Sequence, residues 1–242
     1  MVMAEILVFD NFEMTIIRSA RRKTAAIKVD LDGASVRVPQ DLSALRIREL
    51  VAEKTHWIEQ KLAVAEQKRR DLVLQNQRNA ALGNGSLIPV QGRDLVLELH
   101  QTVTVAIAEN AGKLVLQAPR DLLGDTDQLR GLIEQWLFRL AVQELNLCIN
   151  VYKQKVGVMP TAVQIKDYRA RWGSCKPDGS VQLNWRLIHA PMHIMDYVVI
   201  HELCHLLEMN HSKRFWLEVQ RVDPQYRVNR KWLKDNGWRL ML

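Results

Sequence analysis

Apolar and polar residues alternate with a period of two in short runs through the first part of the chain. Residues 12–17, 25–29 and 35–38 carry this pattern and predict strands. A long segment over 42–75, with Ala, Glu, Lys, Arg and Leu throughout, predicts a helix. Gly83-Asn84-Gly85-Ser86 then marks a turn or linker. Strand patterns return over 86–89, 95–100, 103–108 and 114–117, followed by a second long helix over 126–155. Residues 162–168 and 180–187 alternate again, with a Gly-, Pro- and Asp-rich turn between them, which predicts a hairpin. A run beginning at Pro191 is apolar almost all round and predicts a buried helix with proline near its start.

These elements predict an α+β fold. Residues 1–150 form an N-terminal region of strands and two long helices, packed on a C-terminal region over 151–242. The two regions form either one compact unit or two closely packed halves. Val38-Pro39-Gln40-Asp41-Leu42 leads into a helix carrying Trp57, and Ala118-Pro119-Arg120-Asp121-Leu122 into one carrying Trp136. The echo is read either as a weak repeat of meander plus helix or as a chance similarity of strand-exit signals.

The buried helix carries the candidate chemistry. It reads His201-Glu202-Leu203-Cys204-His205, and a third histidine follows at His211. His201 and His205 are four apart, so on a helix they share one face about 6 Å apart along the axis. Glu202 lies about 100° around the helix, where it can reach a water bound to a metal rather than the metal itself. Buried imidazoles and a carboxylate need partners, and metal ligation supplies them. Three protein ligands with one open position fit catalytic rather than structural zinc, one ion per chain. Asn210 is expected to stop the helix in a left-handed conformation, and Ser212 to cap a following helix over 213–223. His211 then sits on the linker, with Glu218 on the next helix as the rival third ligand.

Just upstream, Tyr168-Arg169-Ala170-Arg171-Trp172-Gly173-Ser174-Cys175 enters the predicted hairpin. Hydrolases that cut extended chains can hold substrate by backbone pairing at such a strand edge. Tyr168, Arg171 and Tyr197 are candidates for contacts to substrate or to an oxyanion. Tyr197 precedes His201 by one helical turn. The run Arg-Trp-Gly-Ser-Cys, then Leu-Asn-Trp-Arg-Leu-Ile, Asp-Tyr-Val-Val-Ile-His-Glu-Leu-Cys-His and Asn-His-Ser-Lys-Arg-Phe-Trp resembles the YgjP-like metallopeptidase family, a relative of SprT-like zinc proteases. The likeness is dense over 151–238 and weaker upstream, around Arg18 to Thr24 and Trp57-Ile58. It implies a zincin-like C-terminal metal domain with zinc on His201, His205 and His211 and with Glu202 as catalytic base. The spacing also matches the metzincin motif, but Glu208 stands where metzincins have glycine.

Composition narrows the setting. At 242 residues, 48 % hydrophobic and 25 % charged, the chain can bury a full core. Its apolar stretches are too short and interrupted to span a bilayer, and the N-terminus lacks the order of a signal peptide. Cys148, Cys175 and Cys204 have no CxxC spacing and suggest reduced thiols, so a cytoplasmic setting is expected. A net charge of +7, gathered at residues 18–23, 68–70 and 221–239, is compatible with nucleic acid through non-specific phosphate contacts.

Three readings follow. The leading one is a zinc-dependent peptidase acting on peptide or protein substrates. A second keeps the metal and attacks nucleotide phosphoanhydrides, with Arg169, Arg171 and Arg186 near the phosphates. A third is a basic nucleic-acid-associated module with a secondary metal site. The presence of Glu202 speaks against the third, because a purely structural site has no use for a general base. The sequence sets no oligomeric state.

Overall fold

The computed structural model describes residues 5–80 and 82–241. It shows a mixed α+β chain with three sheets and seven α-helices among the described residues. The chain divides into two compact units, Met1–Gln77 and Arg78–Leu242.

In the first unit, β1 (Glu5–Val8), β2 (Glu13–Ser19), β3 (Ala26–Asp30) and β4 (Gly33–Pro39) lie in the order β1-β2-β4-β3. The central pair β2–β4 is parallel and the outer pairs are antiparallel. Alternation along β2 and β4 sends Met14, Ile16, Val36 and Val38 into one core. Helix α1 (Ala44–Ala52) adds Ile47 and Val51, and α2 (Thr55–Ala80) adds Ile58. The single helix expected over 42–75 is therefore two. The Glu53 amide donates to the Glu49 carbonyl and the chain turns before Thr55. Neither Gly nor Pro marks the break, and the apolar spacing Ile47, Val51, Ile58 runs through it. Arg18, part of the basic run, pairs with Glu5 at 2.9 Å and donates to the Gln40 and Leu42 carbonyls.

In the second unit, β5 (Leu87–Val90), β6 (Arg93–Gln101), β7 (Ala106–Asn110) and β8 (Lys113–Ala118) lie in the order β5-β6-β8-β7. Its central pair is again parallel and its outer pairs antiparallel. The short α3 (Arg120–Gly124) leads to α4 (Thr126–Val156). The Asp125 carboxylate accepts from the Asp127 and Gln128 amides at the start of α4, and Gly157 at φ 84° ends it. Along α4, Leu129, Ile133, Leu137, Ala141, Leu145 and Cys148 recur every three or four residues and are buried.

The third sheet contains β9 (Ala162–Lys166), β10 (Gly173–Cys175) and β11 (Ser180–Asn184) in the order β10-β11-β9. The hairpin joins β10 to β11, whereas β9 runs parallel to β11. This corrects the expected hairpin between 162–168 and 180–187. Period-two alternation marks a strand but not its partner. Helices α5 (Met192–Cys204), α6 (Lys213–Val222) and α7 (Tyr226–Asn236) complete the unit.

One continuous core joins the second meander, α4, β11 and α5. The division into compact units falls at 77/78, and the residues just before 150 share a core with the helix bearing His201. The β5–β6 turn also positions α5. Gln91 and Gly92 have φ of 51° and 78°, as a two-residue type I′ turn requires. The Gln91 amide donates to the Ile188 carbonyl at 2.6 Å. A Cβ on Gly92 would lie 2.8 Å from Pro191 Cα, so this glycine is needed for space as well as for backbone. Among the described residues no helix is long and apolar enough to cross a membrane.

Candidate metal centre

Helix α5 is buried on nearly every side, through Ile194, Met195, Val198, Val199, Ile200 and Leu203 among others. It ends at Cys204, and His205 follows at φ −64°, ψ −20°. That right-handed conformation keeps the four-residue relation between His201 and His205. The expected stop at Asn210 is corrected, since Gln91 and Ala111 are the non-glycine residues with positive φ among those described. A tight turn ends the helix earlier, with the Leu206 amide on the Leu203 carbonyl and the Leu207 and Glu208 amides on that of Cys204. Ser212 caps α6 as expected, its Oγ accepting from the Phe215 amide at 3.2 Å. His211 sits on the linker between these helix ends.

The linker returns His211 to the helix. One nitrogen from each of His201, His205 and His211 lies within 4.8 Å of the others, and the Nε2 atoms of His201 and His211 are 3.0 Å apart. A tetrahedral zinc with nitrogens at 2.0–2.1 Å has ligand–ligand edges of about 3.3 Å, so the donor set fits one such ion. His205 Nδ1 donates to the Glu208 carbonyl at 3.1 Å, which leaves Nε2 with its lone pair. Burial lowers the His201 pKa to about 3, helped by the neighbouring imidazoles and Arg230, and burial lowers that of His205 as well. Both shifts favour the neutral imidazole that ligation requires.

Packing orients the rings. Among the described residues His201 Nδ1 is buried without a hydrogen-bond partner. Phe215, fully buried, contacts all three imidazoles at centroid distances of 4.9, 4.4 and 4.8 Å. Trp216 stacks on His211 at 5.6 Å and on Tyr226 at 5.3 Å, and the Arg230 guanidinium lies 4.6 Å from its ring centre. Sequence reasoning missed Phe215 and Trp216 as parts of the site. The signal was their place in the first turn of α6, directly behind the cap. Phe215→Ala should cost about 3–5 kcal/mol of stability through the cavity left. It should also weaken metal binding at the three histidines, because the rings lose their common support. Denaturant unfolding and metal competition titrations check the two effects.

Glu202 is 6 % exposed and lines a cleft of about 170 Å³ with Trp172, Gly173, Tyr197, Val198, His201 and Leu233. Burial pushes its carboxyl up to about 8, while the positive charge of Arg171 pulls the other way. Tyr197 tilts against the His201 ring at 5.9 Å, and burial lifts its hydroxyl to about 12. The hydroxyl of Tyr168 donates to the buried Gln182 side chain, away from the lining. Arg171 lies over the Tyr168 ring at 5.5 Å. Glu218 stands outside the histidine cluster and pairs with Arg221 at 2.9 Å. Arg186 pairs with Asp167 and lies over Trp185. A larger hollow of about 700 Å³ in the first unit is lined by Glu13, Asp30, Glu59 and Arg69 among others and brings no histidine together.

A family model described as YgjP-like, metallopeptidase domain, matches residues 23–236. None of the curated proteins matches the chain. Among solved structures, the chain is similar to the metallopeptidase zymogen of Pyrococcus abyssi abylysin, with 24 % identity and a TM-score of 0.34. That likeness covers 37 % of this chain and 93 % of the other.

Proposed function

The chain belongs to the YgjP-like metallopeptidase-domain family, and from that premise we propose that it is a zinc-dependent peptidase with Glu202 as general base. The family implies a metal ion. The observation that carries the finer reading is the convergence of three histidine nitrogens within 4.8 Å, beside a buried glutamate on the same helix. In this reading α5 is the active-site helix of a zincin-like domain, and His201, His205 and His211 hold one ion.

When bound, zinc supplies Lewis acidity and an acidified water. Glu202 accepts the proton of the attacking water on a carboxylate oxygen and later gives it to the departing amine nitrogen. Its burial favours holding that proton between the two transfers. Tyr197 is the candidate donor to the carbonyl oxygen as charge grows there, because its ring borders the same cleft. Arg171 adds positive potential at Glu202. Tyr168 acts at one remove, by fixing the loop that bears Arg171. Strand β10 is an edge strand, so an extended peptide pairing with it would pass the cleft.

A phosphoanhydride substrate calls for cationic donors, and the cleft lining holds neither Lys nor Arg. The net charge of +7 would add weak, salt-sensitive attraction to nucleic acid. The reading also assigns a cytoplasmic setting, with the three thiols reduced. The zinc-loaded protein should cleave members of an internally quenched peptide library and leave nucleoside triphosphates intact. A chelator should abolish cleavage and added zinc should restore it. Nucleotide hydrolysis without peptide cleavage would overturn the assignment.

A further inference from the structure

The run Arg171-Trp172-Gly173-Ser174-Cys175 is prominent in the sequence, and the mechanism above leaves its glycine without a role. Gly173 opens edge strand β10 and pairs with Leu183 of β11. Its φ lies outside the left-handed region, so the backbone there accepts any L-residue. Space is the constraint. A Cβ on Gly173 would lie 2.6 Å from Glu202 Cγ and 2.7 Å from Glu202 Oε1. Separations that short do not occur between unbonded heavy atoms of this kind, so one side would have to move.

The two sides are not equally able to move. The strand side is clamped. The Asn184 amide donates to the Trp172 carbonyl at 2.8 Å, and the Asn184 side chain donates to the Tyr168 and Arg171 carbonyls at 2.9 and 3.0 Å. Asn184 is itself fully buried. Trp172 is wedged so closely against Gly237 that a Cβ there would lie 3.0 Å from the indole. The Glu202 side is softer. Among the described residues no hydrogen bond holds its carboxylate, and packing together with the charge of Arg171 sets its position.

We propose that Gly173 is the positioning residue for the general base: strand β10 omits a side chain at the place the Glu202 carboxylate occupies, and this recess fixes where the base points. The inference rests on the reading of Glu202 given above. Its physical basis is steric, because a base displaced by about 1 Å loses much of its rate advantage.

The test combines Gly173→Ala with the truncation Glu202→Ala, read by melting temperature, zinc content and steady-state cleavage of an internally quenched peptide mixture. Gly173→Ala alone should keep its zinc, lower the melting temperature and cut kcat at least ~10-fold with KM little changed. In the Glu202→Ala background the same substitution should leave the melting temperature unchanged or raise it, because nothing remains for the new methyl to strike. An equal loss of melting temperature in both backgrounds would show that the glycine serves the strand and not Glu202. Unchanged kcat in Gly173→Ala would also overturn the proposal. If Glu202→Gln keeps full turnover while the thermal coupling persists, the assignment of the base fails and the steric pairing stands.

Discussion

Glu202→Gln should fold, keep its metal and lose peptide hydrolysis by at least ~10²-fold, the scale of a missing general base. Glutamine preserves size and shape, which matters because the side chain lies against Gly173 with no slack. It removes the one property the mechanism needs, a carboxylate oxygen that takes and returns a proton. The isosteric change also removes a carboxyl whose charged form burial disfavours and which must take up a proton on folding near neutral pH, so stability should hold or rise. Metal analysis, thermal unfolding and turnover on quenched peptides together make the test. Loss of metal would make Glu202 a ligand. Retained metal with full turnover would end the reading of this helix as a general-base site.

The second large effect is on metal affinity. His211→Ala should weaken zinc binding by more than the ~10–100-fold typical of losing an outer-shell partner, since a direct donor is lost. His201 and His205 come from α5 and its end, whereas His211 arrives from the linker. Without it, two nitrogens from one helix face cannot enclose an ion. Competition with a chromogenic chelator measures the change. Full occupancy in this variant, together with metal loss in Glu218→Ala, would transfer the third position to Glu218. The present pairing of Glu218 with Arg221 would then have to open.

Local chemistry explains what could be read in advance. Helix α4 has a continuous apolar stripe and an aspartate cap, so its extent is legible within a residue or so. Ser212 declares the start of α6 by its position before a helical run. The grouping of His201 and His205 follows from helical spacing alone. Other features depend on contacts far apart in the chain. The parallel pairing of β9 with β11 needs no local signal, and neither does the placement of Phe215 beneath three imidazoles. The break between α1 and α2 falls where the apolar spacing is uninterrupted. The recess at Gly173 is invisible without coordinates, because an ordinary strand φ gives no reason for glycine there.

The shared wiring of the two meanders bears on the order in which the chain can assemble. A parallel pair cannot be closed by a tight turn. In each sheet the strand that comes between the central pair in sequence lies outside it in space. Strands β3 and β4 meet over Leu31 and Asp32, and β7 and β8 over Ala111 and Gly112. These hairpins are local and close on a microsecond scale. The parallel pairs β2–β4 and β6–β8 join strands further apart in the chain, with a whole hairpin strand between them. The outer pairs β1–β2 and β5–β6 are local as well, so the step expected to be slow in both meanders is the same event, the docking of one hairpin onto the other through the central parallel pair.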